Sequence, residues 1–375
     1  MGSTVFLLTN IFLIIVSVVM GLIFLVLPLP DSKGLKNYRI SLKVLASAYF
    51  IIGILSIVPV YFGLPEVRLL SPIEMLISSL QAILFSFSLI TLFNPLFMSF
   101  RVLKKHLFPV LIFVILWGIF AFIWGNPTIS SFDELYLNAT HPTVMLRIIS
   151  SFFYIFQLIY LSKIFFIEEK KYAHQLDNFF ADNYRLQLKW VRYCFYAALA
   201  VGIGSVFSFF LISMAWAPVS AGIYALFYMV FGLFYIQYPK TFIQIEKVID
   251  ERPLARTEIT AKGHLQQSWH YLRQQVIDGK YYLASGVNIE EIAQLLKISR
   301  TSLSNLINKE EGVNFNTWIN MLRIKKAKEL FITNPEFTIS QVAEQVGFTE
   351  QSNFSRQFKL ITNQSPSEWR QQNRA

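Results

Sequence analysis

The chain has 375 residues, of which 54% are hydrophobic, 16% aromatic and 15% charged, with a formal net charge of +10. Soluble globular proteins carry a charged fraction nearer about 25%, so this composition excludes a wholly soluble protein. One cysteine, Cys194, set in an apolar run, leaves no disulfide framework and no Cys-rich metal site. Five scattered histidines lack metal spacing, and there is no HExxH, Walker or GxSxG run. The sequence therefore asks for no metal, no cofactor and no enzymatic activity.

The apolar excess lies in the first 240 residues, in runs at about 4–27, 41–62, 72–93, 107–124, 143–167, 193–214 and 218–237. Each is near or above the roughly 18–20 residues a helix needs to cross a bilayer core, which predicts seven transmembrane helices. The first run has no basic flank before it and no small-residue cleavage pattern after it, and reads as retained. Loops one, three and five hold Lys33, Lys36 and Arg39; Arg101, Lys104 and Lys105; and Lys170, Lys171, Arg185 and Lys189. The opposite side holds Arg68, Asp133 and Glu134. Because positive residues stay inside, the N-terminus is expected outside and the C-terminus in the cytoplasm.

Ionisable groups within spans are costly and are functional candidates. Glu74 and Arg147 qualify, both within about a turn of the expected outer face. Two readings stay open: they snorkel to the interface, or they line an outward-facing ligand pocket with Trp117, Trp124, Asp133, Glu134 and His141. Ser86, Ser88, Gln81, Gln157, Ser205 and Ser208 read as hydrogen-bond partners between helices.

The fifth loop, about Glu168 to Val191, alternates Leu176, Phe179, Phe180, Tyr184, Leu186, Leu188 and Trp190 with charges. It reads as an amphipathic element along the inner membrane surface, or else as a solvated linker. Beyond Tyr238-Pro239-Lys240, residues 241–262 predict a short helix and a flexible join at Pro253. About one heptad is too little for a coiled coil. Trp269, Leu272, Val276 and Ile277 then mark a helix, ended by Asp278-Gly279, that packs on the region C-terminal to it. The expected organisation is a membrane half over 1–239, a linker over 240–270 and a C-terminal domain over 271–375.

From Asn288 to Arg370 a pattern occurs twice. Ile292, Ala293, Leu296, Ile298, Leu303, Leu306 and Ile307 answer to Val342, Ala343, Val346, Phe348, Phe354 and Phe358. In each copy helical spacing breaks and resumes, which predicts two short helices across a tight turn. Gly347 stands at the second break, where a left-handed backbone costs least, and Lys297 at the first. Between the copies, Phe315, Trp318, Ile319, Leu322, Ile324, Ala327 and Leu330 share a helical face, with Arg323, Lys325, Lys326 and Lys328 elsewhere. A connecting helix of about 16 residues would be roughly 24 Å long. That suits two recognition helices in major grooves about 34 Å apart.

The run Gly312-x-x-Phe315-x-x-x-Ile319-x-x-x-Arg323-Ile324-x-x-Ala327, then Ile339-x-x-Val342-Ala343-x-x-x-Gly347-Phe348, Phe354-Ser355-Arg356-x-Phe358-Lys359 and Ser365-Pro366-x-x-Trp369-Arg370, resembles the AraC/XylS-type DNA-binding domain. More loosely, the fifth loop, ending Leu188-Lys189-Trp190-Val191-Arg192, looks like the inner loop of membrane-embedded AraC-type regulators. The resemblance implies an all-α chain: a seven-span bundle followed by a cytoplasmic domain of two helix-turn-helix units joined by a connecting helix. It implies a first recognition helix at about 300–308, presenting Thr301, Ser302, Ser304 and Asn305. A second at about 350–360 would present Gln351, Ser352, Asn353, Ser355 and Arg356. Arginine can pair bidentately with guanine, and glutamine or asparagine with adenine. Lys309, Lys359 and Arg370 are expected on phosphates, which orient without reading sequence. From His264 onward 13 basic residues face 10 acidic ones, so charge alone would not identify this domain.

The expected function is a one-component transcriptional regulator in the bacterial inner membrane that senses an outer or membrane-borne signal. Its expected partners are double-stranded promoter DNA, membrane lipid, a second copy in a homodimer, RNA polymerase where it activates, and the unidentified signal. The signal would be transmitted through spans six and seven and the linker. The rival reading is a transporter or membrane enzyme with an appended DNA-binding domain, and a third is a non-signalling DNA tether.

Overall fold

The computed structural model describes residues 2–29, 35–61, 69–94, 97, 99–181, 189–210, 216–237 and 265–373. Among these the chain is all-helical, without strands. It forms two compact units: Met1–Lys170 with Leu188–Glu246, and Lys171–Gln187 with Lys247–Ala375. Arg68, Lys33, Arg185, Tyr184, Leu186, Leu188 and the 241–262 linker lie outside the described residues.

The first unit holds α1 (Gly2–Val26), α2 (Leu35–Tyr61), α3 (Pro72–Phe93), α4 (Phe100–Trp124), the short α5 (Phe132–Leu137), α6 (Pro142–Phe179) as far as Lys170, α7 (Lys189–Ser208) and α8 (Trp216–Ile236); the last turns of α6, from Lys171, belong to the second unit. Seven of these, all but α5, are long and apolar enough to cross a membrane, as the sequence predicts. Helix α1 packs on α2 and α8, and α3 on α2, α4 and α7.

Aromatic side chains with polar tips pin this packing. The Tyr38 hydroxyl donates to the Tyr235 carbonyl at 2.7 Å, and the Tyr49 hydroxyl to that of Tyr228 at 2.6 Å. Both rings are fully buried, so each hydroxyl needs its partner. Gln157 reaches across from α6 to the Ser79 carbonyl at 2.9 Å, and Ser205 Oγ lies 3.3 Å from the Tyr224 hydroxyl. The Ser88 and Ser208 hydroxyls also donate back to carbonyls four residues earlier in their own helices, and the Ser88 carbonyl accepts from the Tyr235 hydroxyl of another helix at 3.0 Å.

The second unit contains α9 (Leu265–Asp278), a 3₁₀ turn (Tyr281–Leu283), α10 (Ile289–Leu295), α11 (Arg300–Glu310), α12 (Phe315–Thr333), α13 (Ile339–Gln345), α14 (Gln351–Thr362) and α15 (Pro366–Gln372). Two apolar clusters form. One gathers Trp269, Leu272, Val276, Ile292, Leu303, Ile307 and Trp318; the other gathers Ile324, Ala327, Phe331, Val342, Phe348, Phe354 and Phe358. Helix α12 supplies the first cluster from its N-terminal half and the second from its C-terminal half. Its 19 residues span about 28 Å, slightly more than the spacing suggested.

The two copies are built alike. Asn288 and Thr338 cap α10 and α13 in capping boxes closed by Glu291 and Gln341. The turns match as well: Ile298 N–H donates to the Ala293 carbonyl at 3.0 Å, and Phe348 N–H to that of Ala343 at 2.9 Å. Such a six-to-one bond needs a left-handed residue at the turn. Lys297 supplies it at φ 56° and Gly347 at φ 85°.

Three expectations are corrected here. The boundary at 270/271 cuts a continuous helix, since α9 starts at Leu265 and already buries Trp269. Arg323, read as off the apolar face, is fully buried, because its guanidinium finds partners inside. Its Nε donates to the Tyr282 carbonyl at 2.7 Å, its Nη2 to that of Ala284 at 2.8 Å, and it lies 5.2 Å from the Phe348 ring centroid. The fifth loop is helical as far as Phe179, and Phe179 and Ala181 are buried in the first cluster of the second unit, with Phe180 packed against it. That disposition is not an amphipathic face laid on a membrane.

Candidate nucleic-acid interface

Helix α11 begins at a Ser299 cap whose Oγ accepts from the Ser302 N–H at 3.0 Å. Leu303, Leu306 and Ile307 face the core. That leaves Thr301 and Asn305 exposed one turn apart, with Ser302 and Ser304 half-buried beside them. The two serines are engaged locally: Ser302 Oγ lies 2.8 Å from Ser299 Oγ, and Asn308 donates to Ser304 Oγ at 3.4 Å. Asn308, exposed, continues the Thr301–Asn305 stripe, although it is not among the residues expected to face DNA. Helical spacing alone could have found it. Lys309 is exposed and pairs with Glu310 at 3.1 Å, a surface contact of little strength.

Helix α14 is anchored by Phe354 and Phe358. Ser352, Arg356 and Lys359 are exposed along one stripe at spacings of four and three residues, with Gln351 exposed at its start and Ser355 half-buried. Asn353, expected to face outward, is buried, at 2% exposure. Its Oδ1 accepts from Arg356 Nη2 at 3.1 Å, so it can orient the guanidinium instead of touching a base. Arg370 is likewise corrected from phosphate partner to structural residue. It donates to the carbonyls of Phe337 at 2.9 Å and of Pro335, fastening α15 to the loop before α13. In the α15 cap, the Ser365 N–H donates to Glu368 at 2.7 Å and holds that carboxyl below the usual range.

These side chains offer donors and acceptors of the kind that read base edges, on helices held by one rigid connector. Arg356 has the fork geometry suited to guanine O6 and N7, and Gln351 and Asn305 the paired donor and acceptor suited to adenine.

The residues suggested for sensing do not all meet. Trp117 and Arg147 line a cavity of about 80 Å³ with Met75, Val110, Phe113 and Leu146. Arg147 donates to Asn126 and, at 2.9 Å, to the Pro127 carbonyl. Glu74 is exposed on α3 and does not line that cavity. Glu134 accepts from the Ser130 N–H at 2.7 Å in the cap of α5, where Asp133 also sits exposed. His141 contacts the Trp124 carbonyl at 3.1 Å.

A family profile described as "Helix-turn-helix domain" matches residues 292–372. The chain is 33% identical over 121 residues to the uncharacterized HTH-type transcriptional regulator YijO of Escherichia coli K12, covering 32% of this chain and 41% of that one. It is 27% identical over 128 residues to the Msm operon regulatory protein of Streptococcus mutans, covering 33% and 43%. It is 32% identical over 108 residues to the arabinose operon regulatory protein of Escherichia coli K12, covering 29% and 35%. The chain thus spans less than half the length of these relatives. Its C-terminal region is an AraC-type helix-turn-helix domain, joined in one chain to a half built of seven long apolar helices.

Proposed function

We propose that this protein is a membrane-anchored one-component transcriptional regulator. Its C-terminal domain binds promoter DNA sequence-specifically, and its apolar half holds that domain at the cytoplasmic face of a bacterial inner membrane and senses an outer or membrane-borne signal. The observation that carries the reading is the pair of recognition helices: α11 and α14 each turn a polar stripe outward while α12 fixes both. The relatives' names, two operon regulatory proteins and an HTH-type transcriptional regulator, point the same way.

Membrane anchoring rests on apolar surface that water would not tolerate. Phe122 is 92% exposed on α4, with Leu111, Ile115 and Ile119 also exposed, and only 6% of the α4 window is buried. Soluble monomers seldom leave apolar patches of that extent uncovered. Lipid covers them in this reading. The Trp117–Arg147 cavity is the candidate place for a signal with an apolar body and an anionic or hydrogen-bonding end.

The test is fractionation of cells making the full chain with a C-terminal tag. The protein is expected to stay with membranes through alkaline carbonate extraction. Protease should remove the tag from inside-out vesicles and spare it in right-side-out ones. Release by carbonate, or the reverse protection pattern, would contradict the reading.

A further inference from the structure

The segment that follows α6 is held by the helix-turn-helix unit as a peptide is held in a receptor. Phe180 and Asn288 form an isolated antiparallel bridge, and the Ala181 N–H donates to the Val287 carbonyl at 3.1 Å. Asn316, on α12, donates from Nδ2 to the carbonyls of Phe180 at 3.0 Å and Ala181 at 2.8 Å. Asn320, one turn on and fully buried, donates to the Ala181 carbonyl at 3.2 Å and to Asn316 Oδ1 at 3.0 Å. Phe179, 2% exposed, fills the apolar cluster beside Ile289 and Leu303, with Arg300, the first residue of α11, 4.7 Å from its ring centroid.

Buried amides cost free energy unless they are paired. Here the Nδ2 groups of Asn316 and Asn320 are paired to backbone that comes from between the fifth and sixth long apolar helices. Amides suit a core that receives a strand edge, because they meet its carbonyls. The occupant is also placed for control, since the same three residues touch the N-terminus of a recognition helix and the connector that fixes both.

We infer that the first helix-turn-helix carries a receptor groove for the chain's own Phe179–Ala181 segment, and that its docking is the contact through which the apolar half controls DNA binding. The inference rests on the regulator reading above. It gives control to the segment at the end of α6, whereas the sequence points to spans six and seven and the 240–270 linker. A change within the membrane half that moves the end of α6 withdraws Phe179 from the cluster and from beneath Arg300.

The test places Phe180→Cys and Asn288→Cys in a Cys194→Ser background of the full chain in native membranes, with a protease site inserted after Pro253. Mild oxidation followed by cleavage should leave the two fragments joined without reductant, at least tenfold above a control pair of Phe180→Cys with Gln345→Cys. Asn316→Ala with Asn320→Ala in the first pair should lower the yield severalfold. Benzoylphenylalanine at position 180 keeps the ring, and should cross-link to peptides containing Asn288 or Asn316 if the cysteine pair disturbs folding.

The locked protein should also occupy its promoters at a level at least threefold different from the reduced protein. No joining and no photo-cross-link would overturn docking. Joining with unchanged occupancy would overturn control. Joining with no occupancy by the reduced or the unsubstituted protein would instead sink the regulator reading, because cross-linking is read without DNA.

Discussion

Gly347→Ala is expected to unfold the second helix-turn-helix in the full-length protein. Two costs add. At φ 85° a side chain pays the left-handed penalty of about 1–2 kcal/mol. A Cβ built there would also lie 2.3 Å from the Leu283 carbonyl oxygen and 3.1 Å from Arg323 Nη2, and a backbone carbonyl cannot swing aside as a long side chain can. The total should exceed about 3 kcal/mol, a large part of the roughly 5–15 kcal/mol that stabilises a domain. Gly347→Asn separates the two causes, since asparagine tolerates the left-handed region. It should fail nearly as badly as alanine. At the equivalent turn Lys297→Gly should be tolerated or stabilising by up to about 1 kcal/mol, because lysine already pays the conformational cost there. Amide hydrogen exchange of α13 and α14 checks all three. Protection retained in Gly347→Asn would show that only the turn conformation matters.

Arg323→Met should couple its damage to both helix-turn-helix units. The guanidinium bonds the carbonyls of Tyr282 and Ala284 on one side and lies over Phe348 on the other. Methionine fills much of the volume but strands two buried acceptors, at about 1–3 kcal/mol each. Arg323→Lys should be nearly as damaging, because an ammonium lacks the planar fork that reaches both carbonyls. Exchange protection should fall together in α10 and α13. Loss confined to one unit would mean that Arg323 does not tie them.

Much of this fold was legible because its signals are local. The doubled apolar pattern, the break before Ile298 and Phe348, and the long apolar runs each depend on residues a few positions apart. What was not legible depends on partners distant in sequence. Gly347 was read as a turn glycine, which it is, but its approach to Leu283 leaves no local trace. Arg323 and Arg370 look like surface cations in a basic domain until the carbonyls they serve are in place. Asn353 is expected outward, and at five residues from Phe358 it stands off the phenylalanine face, so helical spacing alone does not mark it as buried. The alternation around Phe179 and Phe180 announced a segment with an apolar side and could not say what covers it.

The recognition residues stand differently, since their exposure follows from periodicity while their role as base readers depends on DNA. Genome-wide occupancy by crosslinking in cells, comparing the intact protein with Arg356→Ala at matched abundance, tests that role most directly. Discrete peaks holding two half-sites about one helical turn, or 34 Å, apart are expected for the intact protein. Arg356→Ala should weaken them by about 1–3 kcal/mol of discrimination, enough to erase most peaks while the protein stays in the membrane. Peaks unchanged in the variant would remove Arg356 from base reading. The absence of peaks for the intact chain, and also for residues 264–375 alone, would contradict sequence-specific DNA binding itself.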